Sequence, residues 1–184
     1  MFTNSTDRET PIPTLSWPYA HLLINHFPVV LSVSGLTIAI LALAVNRRGL
    51  WLTSMAALTV AGLFVYPVHL TGIRADEALE NPWYVHPGAI ESHEDAGTLA
   101  MYVILVVGVF AAYSWWRSLK RPADPLPLWM RAGILAGALA AVSFVTYTAY
   151  LGGKIIHESP VLKLTQPPAG LPPGVAADST SSRE

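Results

Sequence analysis

Four hydrophobic runs, separated by shorter polar segments, set the pattern of this sequence. They cover about residues 20–45, 51–73, 96–116 and 128–152. A helix that rises 1.5 Å per residue needs about 20 residues to cross a hydrocarbon core roughly 30 Å thick, and each run is about that long or longer. The pattern therefore predicts an all-α integral membrane protein, folded as a bundle of four transmembrane helices.

The composition agrees with this class. Of the 184 residues, 52% are hydrophobic and only 12% are charged, and the mean hydropathy is +0.43. These values are typical of a small membrane protein that is surrounded by lipid, and not of a soluble domain. The net charge of −1 gives no reason to expect nucleic acid as a partner.

Basic residues are distributed unequally between the two ends of the predicted bundle. Two short loops hold six of the eleven Lys and Arg residues, namely Arg47, Arg48, Arg117, Lys120, Arg121 and Arg131. The positive-inside rule makes these loops cytoplasmic and both termini extracytoplasmic. Residues 1–19 are then an extracytoplasmic segment, residues 20–158 the bundle, and residues 159–184, which are rich in proline and small polar residues, an extended or disordered extracytoplasmic tail.

The histidines all fall at the other end of the predicted bundle. There are six of them: His21, His26, His69, His86, His93 and His157. An ionisable side chain within lipid is costly, so it usually faces the interior of a bundle and has a partner there. Each span contributes at least one histidine, and imidazole nitrogens are common ligands of haem iron and of metal ions. We therefore predict that His26, His69, His93 and His157 are ligand candidates around a shared cofactor.

The pairing of these four candidates has two solutions. Diagonal helices of a four-helix bundle favour His26 with His93, and His69 with His157. Depth favours His26 with His69, and His93 with His157, because the helical rise places the first two deeper in the membrane. These two depths would be compatible with one haem or with two. His21 is expected to be interfacial or supporting, since it stands about 140° around a helix from His26.

The absence of cysteine narrows the choice of cofactor. It excludes disulfides, iron–sulfur clusters, thiolate zinc sites and covalent attachment of haem. A b-type haem, held by histidine nitrogens alone, is still allowed. So is a copper or zinc ion held by imidazoles, with Glu91 or Glu94 as an added carboxylate.

Small and basic residues near the histidines fit a flat cofactor. Gly72, Gly97 and Gly153 each lie three or four residues from a candidate histidine. A missing side chain at these positions would leave room for a porphyrin edge against the backbone. Arg74 and Lys154 lie at the same surface and would pair with haem propionates. The alternative is that the glycines serve helix packing alone and the histidines face lipid headgroups.

Several residues also predict details of the spans. Pro28 and Pro67 each remove a backbone donor and are expected to bend the first and second spans. Residues of about 74–92 are expected to form an outer loop that caps the bundle. Gly133 and Gly137 in the fourth span are spaced to allow close approach of another helix.

Four stretches of the chain carry a resemblance. They are His21–Pro28 (HLLINHFP), Thr71–Glu77 (TGIRADE), His93–Gly97 (HEDAG) and Gly152–His157 (GGKIIH). The first resembles the H-x-x-x-x-H-F-P opening of a widespread bacterial family of four-span membrane domains of unknown function, and the others follow in that family's order. The resemblance covers about residues 20–158. It implies a four-helix bundle in the bacterial inner membrane, with histidines gathered at the periplasmic face and a b-type haem or redox role. Leu22 stands where the family often has proline.

Three functions are compatible with these residues. The first is a membrane electron-transfer subunit that binds haem b and relays electrons between a periplasmic electron carrier and quinone or another membrane cofactor. Such a chain would not be catalytic alone but would act with the other subunits of a membrane redox complex. The second is a copper or zinc protein with histidine ligands, and the third is a cofactor-free anchor subunit of a larger membrane complex.

Overall fold

The structure, a computed structural model, describes residues 16–79 and 87–157, although not the side chains of residues 79, 87, 156 and 157. In this part of the chain the secondary structure is helical, without strands: α1 (Trp17–Ile24), α2 (His26–Val45), α3 (Arg48–Leu79), α4 (Pro87–Lys120) and α5 (Leu128–His157). The predicted tail, most of the predicted N-terminal segment and His86 lie outside the described residues.

Four helical spans are long and apolar enough to cross a membrane, as predicted. They are Trp17–Val45, Arg48–Ala78, Gly88–Lys120 and Leu128–Ile155. Many large apolar side chains point outward, among them Leu63 at 69% and Val106 at 68% exposure. Because water would make such exposure unfavourable, these surfaces are suited to contact lipid. The fold class predicted from hydropathy is therefore confirmed as an all-helical bundle of four spans.

The helices extend beyond the hydrophobic runs. The prediction of an outer loop at residues 74–92 is wrong at both of its ends, because α3 continues to Leu79 and α4 already begins at Pro87. Hydropathy marks only the part of a helix suited to lipid, whereas backbone hydrogen bonding continues into polar sequence. Proline suits the start of α4, since the first residue of a helix needs no N–H donor.

The first span is divided into two helices three residues before Pro28. Pro28 has no N–H to donate to the carbonyl of Ile24, so the helical ladder loses a hydrogen bond there. The structure divides the span into α1 and α2 at Asn25, whose own N–H still donates to the carbonyl of His21 at 2.9 Å. Helix α3, in contrast, continues through Pro67.

The four spans form a ring. Helix α3 packs extensively against both α2 and α4, and α5 closes the ring by packing against α4 and α2. The short helix α1 packs mainly on α3. Consequently the first and third spans are diagonal to one another, and so are the second and fourth.

Small residues bring the central helices together. A Cβ atom on Gly62 of α3 would lie 2.8 Å from the Cα atom of Gly108 of α4, so the two backbones meet directly. The predicted small positions of α5 serve differently. Gly133 and Gly137 receive the side chains of Phe110 and Val107 from α4. Close approach in this bundle therefore depends most on α3 and α4, where only glycine fits.

Candidate functional site

The two ends of the bundle are built from different side chains. At one end the turn between α2 and α3 contacts the loop between α4 and α5. Arg48 donates there to the carbonyl oxygen of Asp124 at 2.6 Å. We call this end, which includes Arg48, Arg131 and the α4–α5 loop, the basic end. His21 and His93 lie at the opposite ends of their spans. We call that end of the bundle the histidine end.

His21 of α1 is anchored to the neighbouring helix α3. Its Nδ1 atom lies 3.1 Å from the carbonyl oxygen of Val68 and 3.2 Å from the Oγ1 atom of Thr71. The Thr71 hydroxyl itself donates to the Val68 carbonyl at 2.8 Å. Because a carbonyl only accepts, Nδ1 of His21 must carry the proton. In the neutral ring the lone pair is then on Nε2.

His93 of α4 repeats this arrangement on α5. Its Nδ1 atom lies 3.0 Å from the carbonyl oxygen of Thr148 and donates to it. Both rings are partly buried, and neither Nε2 atom has a hydrogen-bond partner within residues 16–79 and 87–157. The two imidazoles are therefore held through one nitrogen and leave the other as a free Lewis base.

A glycine lies against each ring. A Cβ atom on Gly72 would lie 3.1 Å from Cε1 of His21, and one on Gly152 would lie 2.9 Å from Cε1 of His93. Each glycine stands four residues after the carbonyl that its histidine uses. A helical side chain covers the turn on the N-terminal side of its own Cα, so a side chain at either glycine would shield that carbonyl. Glycine therefore opens a socket for an imidazole on α3 and on α5.

The two sockets lie at the same end of the bundle, one on α3 and the other on α5. Two polar side-chain atoms close to these histidines are buried without a partner among the described residues. They are Oδ1 of Asn25, four residues after His21, and Oγ1 of Thr148, whose carbonyl accepts from His93. Such atoms are uncommon in native structures and often mark a missing water or ligand.

Some of the predicted site residues lie at the two sockets, and the others lie around them or face outward. His93 and Gly72 belong to the sockets, and Gly97 lies beside them, since a Cβ atom there would lie 3.8 Å from Cγ2 of Thr148. His26 is exposed, with Nδ1 2.9 Å from the carbonyl of Leu22 in the preceding turn.

The remaining predicted residues lie around this region without joining the paired sockets. His69 is half-buried and adjacent to Val68, and Gly153 is adjacent to Gly152. Arg74 is exposed and forms an ion pair with Glu77 at 3.2 Å. His157 is the last residue of α5, and its side chain lies outside the described part of the chain.

Sequence reasoning underestimated two residues, His21 and Gly152. His21 and His26 do lie on different sides of the first span, as predicted, but His21 is the half-buried one, held on α3, and His26 is exposed. Gly152 was passed over for Gly153, which is spaced better from His157. One signal was available in the sequence Val68–Gly72. A glycine four residues after Val68 leaves the carbonyl of Val68 uncovered, so that a side chain from another helix can reach it.

The donor set limits what the site would hold. Within the described residues no group of three or more His, Asp or Glu side chains is placed to bind one metal ion. A structural zinc site takes four protein ligands, and a catalytic one usually takes three. Two imidazole nitrogens suit an iron whose equatorial positions are filled by a porphyrin.

These features define the class of protein: an all-helical membrane bundle of four spans, with two backbone-anchored imidazoles on diagonal spans at one end. No protein-family model, curated protein or solved structure matches the chain significantly.

Proposed function

We propose that this protein is a membrane electron-transfer subunit in which His21 and His93 would hold a b-type haem. One observation carries the proposal: two diagonal spans each present a neutral imidazole with Nδ1 anchored and Nε2 free. This ligand pair revises the predicted pair of His26 and His93. His69 and His157 are retained as the candidates for a second haem.

The protein's own contribution begins with orientation. The carbonyls of Val68 and Thr148 hold the Nδ1 protons of the two rings, which sets the tautomer, fixes the ring planes and makes Nε2 a stronger base. Gly72 and Gly152 allow this contact. When bound, haem supplies a reversible one-electron couple whose potential depends on its ligands and on burial.

Other predicted residues would support the cofactor's edges. Gly97 leaves space one turn from His93, and Gly153 does the same beside Gly152. Arg74 is exposed at the same end and would exchange Glu77 for a haem propionate, because an exposed ion pair of this kind contributes little stability. Lys154, whose ammonium lies 5.7 Å from the centre of the Tyr150 ring, is on the facing helix.

The proposed orientation in the membrane follows from the distribution of charge. The basic end would be cytoplasmic by the positive-inside rule, so the histidine end would face the periplasm of a bacterial inner membrane. Electrons would then pass between a periplasmic carrier and quinone or another membrane cofactor. The chain would work with other subunits of a membrane redox complex and would not be an enzyme alone.

An absorption spectrum of the purified full-length chain tests the proposal. We expect Soret and α bands that sharpen on reduction with dithionite. His21→Ala and His93→Ala should each abolish or shift them, whereas His26→Ala, which removes an exposed imidazole, should leave them unchanged. His93→Met should retain haem but raise the midpoint potential, because a thioether ligand favours ferrous iron.

The other outcomes are equally informative. Stoichiometric copper or zinc without haem bands would replace the proposal with a metal site. Absence of both from protein isolated from its native membrane would favour a cofactor-free anchor. Bands that survive both His21→Ala and His93→Ala would reject the ligand pair and return attention to His26, His69 and His157.

A further inference from the structure

A second candidate site lies at the basic end, at the far side of the bundle from the histidines. A cavity of about 400 Å³ opens between the turn that joins α2 to α3 and the loop that joins α4 to α5. Asn46, Arg48, Trp51, Leu126 and Arg131 contribute to its walls. None of these residues belongs to the haem site proposed above.

Two hydrogen-bond donors at this cavity are buried without an acceptor among the described residues. They are Nε1 of Trp51, whose side chain is only 1% exposed, and Nε of Arg131. The Arg131 guanidinium also lies 5.2 Å from the centre of the Trp51 ring, so the two side chains form one unit. A buried N–H group without an acceptor is unfavourable, and two in one wall indicate a missing acceptor.

The charge around the cavity specifies that acceptor as an anion. Arg48 donates to the carbonyls of Ser118 and Asp124, each at 2.6 Å, and these neutral acceptors leave its positive charge uncompensated. The carboxylate of Asp124 pairs instead with Arg121 at 3.8 Å. Two guanidinium groups therefore meet at the cavity. Asp124 also lines it, and its exposed carboxylate is shared with Arg121.

We propose that this cavity binds a phosphate group. A phosphate offers several strong acceptor oxygens, which would satisfy the Trp51 and Arg131 donors together and neutralise the positive charge. The first turn of α5, which contains Arg131, adds the positive end of a helix dipole. The phosphate would come from an anionic phospholipid headgroup in the adjoining leaflet or from free phosphate in solution.

The experiment measures thermal unfolding of the full-length protein in detergent. Three additions are compared: phosphatidylglycerol, phosphatidylcholine and inorganic phosphate. Trp51→Phe removes the indole N–H but keeps an aromatic ring, and Arg131→Gln removes the guanidinium. Arg47→Gln is the matched control, because Arg47 is exposed at the same end and is not part of the cavity wall.

We expect phosphatidylglycerol to raise the unfolding midpoint of the wild type by about 3 °C or more relative to phosphatidylcholine. The rise should be lost in Trp51→Phe and Arg131→Gln and kept in Arg47→Gln. An equal rise with inorganic phosphate would assign the site to a soluble phosphate. No rise with either additive, or a rise that both cavity variants retain, would overturn the proposal. Comparing each variant with and without additive separates binding from any loss of basal stability.

Discussion

At the histidine end each buried ring finds an acceptor on the neighbouring helix, whereas at the basic end two buried N–H groups have none among the described residues. In the first case a glycine exposes a helix carbonyl to an imidazole. In the second, Arg48 takes the carbonyls near the C-terminus of α4, while Trp51 and Arg131 are left without acceptors.

The difference shows how one bundle offers opposite chemistry at its two ends. The histidine end presents lone pairs on Nε2 and suits an electrophile such as iron. The basic end presents N–H donors and positive charge and suits an oxyanion. In both places a polar atom has no partner among the described residues, and this is why we propose an electrophile at one end and an oxyanion at the other.

The largest effect is expected from a change at the contact between α3 and α4, which would disturb the packing of the whole bundle. Gly62→Val would place a Cβ atom 2.8 Å from the backbone of Gly108, and a backbone atom has little room to retreat. We expect a loss of about 3 kcal/mol or more in the free energy of unfolding, since overpacking at backbone contacts is poorly relieved. Reversible unfolding in mixed micelles measures it. Gly49→Ala is the control, because nothing lies within 4 Å of a Cβ atom there.

The next change separates the ends by damaging only the histidines' side. Gly152→Val would force the His93 ring from the Thr148 carbonyl, because a Cβ atom would lie 2.9 Å from Cε1. We expect a loss of about 1–3 kcal/mol in the free energy of unfolding and, if haem binds as proposed, loss of its spectrum. Gly49→Ala, where nothing lies within 4 Å of a Cβ atom, should have little effect on either. A normal spectrum in Gly152→Val would show that the socket is not needed.

A smaller effect is expected from a change that damages only the basic end. Arg48→Ala removes three donated hydrogen bonds, to the carbonyls of Ser118, Arg121 and Asp124. Water can replace the exposed ones, so we expect a loss of about 1 kcal/mol in the free energy of unfolding. Hydrogen exchange should increase at the end of α4 and in the α4–α5 loop, but not near His93. Arg47→Ala should leave both the stability and the exchange pattern unchanged.

The smallest effect is expected for an exposed pair at the histidine end. Arg74→Gln removes the ion pair with Glu77, whose side chains are 62% and 58% exposed. Such pairs contribute about 0–1 kcal/mol, and salt screens them, so stability should change by about 0.5 kcal/mol or less. A shift in haem potential without a change in stability would indicate a propionate contact instead. An unchanged potential would limit Arg74 to its surface pair.

The general fold was predictable because lipid imposes a strong constraint on sequence. A span must be apolar over about 20 residues and must satisfy its backbone internally, so hydropathy was enough to find four helices. The positive-inside rule predicted that Arg48 and the α4–α5 loop lie at the same end of the bundle, and in the structure hydrogen bonds join them. The helix ends were not predictable from hydropathy, since α3 and α4 continue into polar sequence.

The candidate site was predictable only in part. Clustering of histidines at one end followed from counting spans, and His93 and Gly72 were among the predicted residues. His21 was given a supporting role because spacing alone does not show which of the two histidines of the first span faces α3, and the structure places His21 there. Gly152 was missed because its partner is a ring on another helix and not a neighbour along the chain.

The sequence by itself determined the four helices, their order and the separation of the histidines from the basic loops, since each depends on local composition and chain direction. Only the tertiary structure decided which carbonyl each imidazole reaches and which N–H groups have no acceptor. Those outcomes depend on how close two helices come, and a single missing Cβ on the facing helix decides that distance.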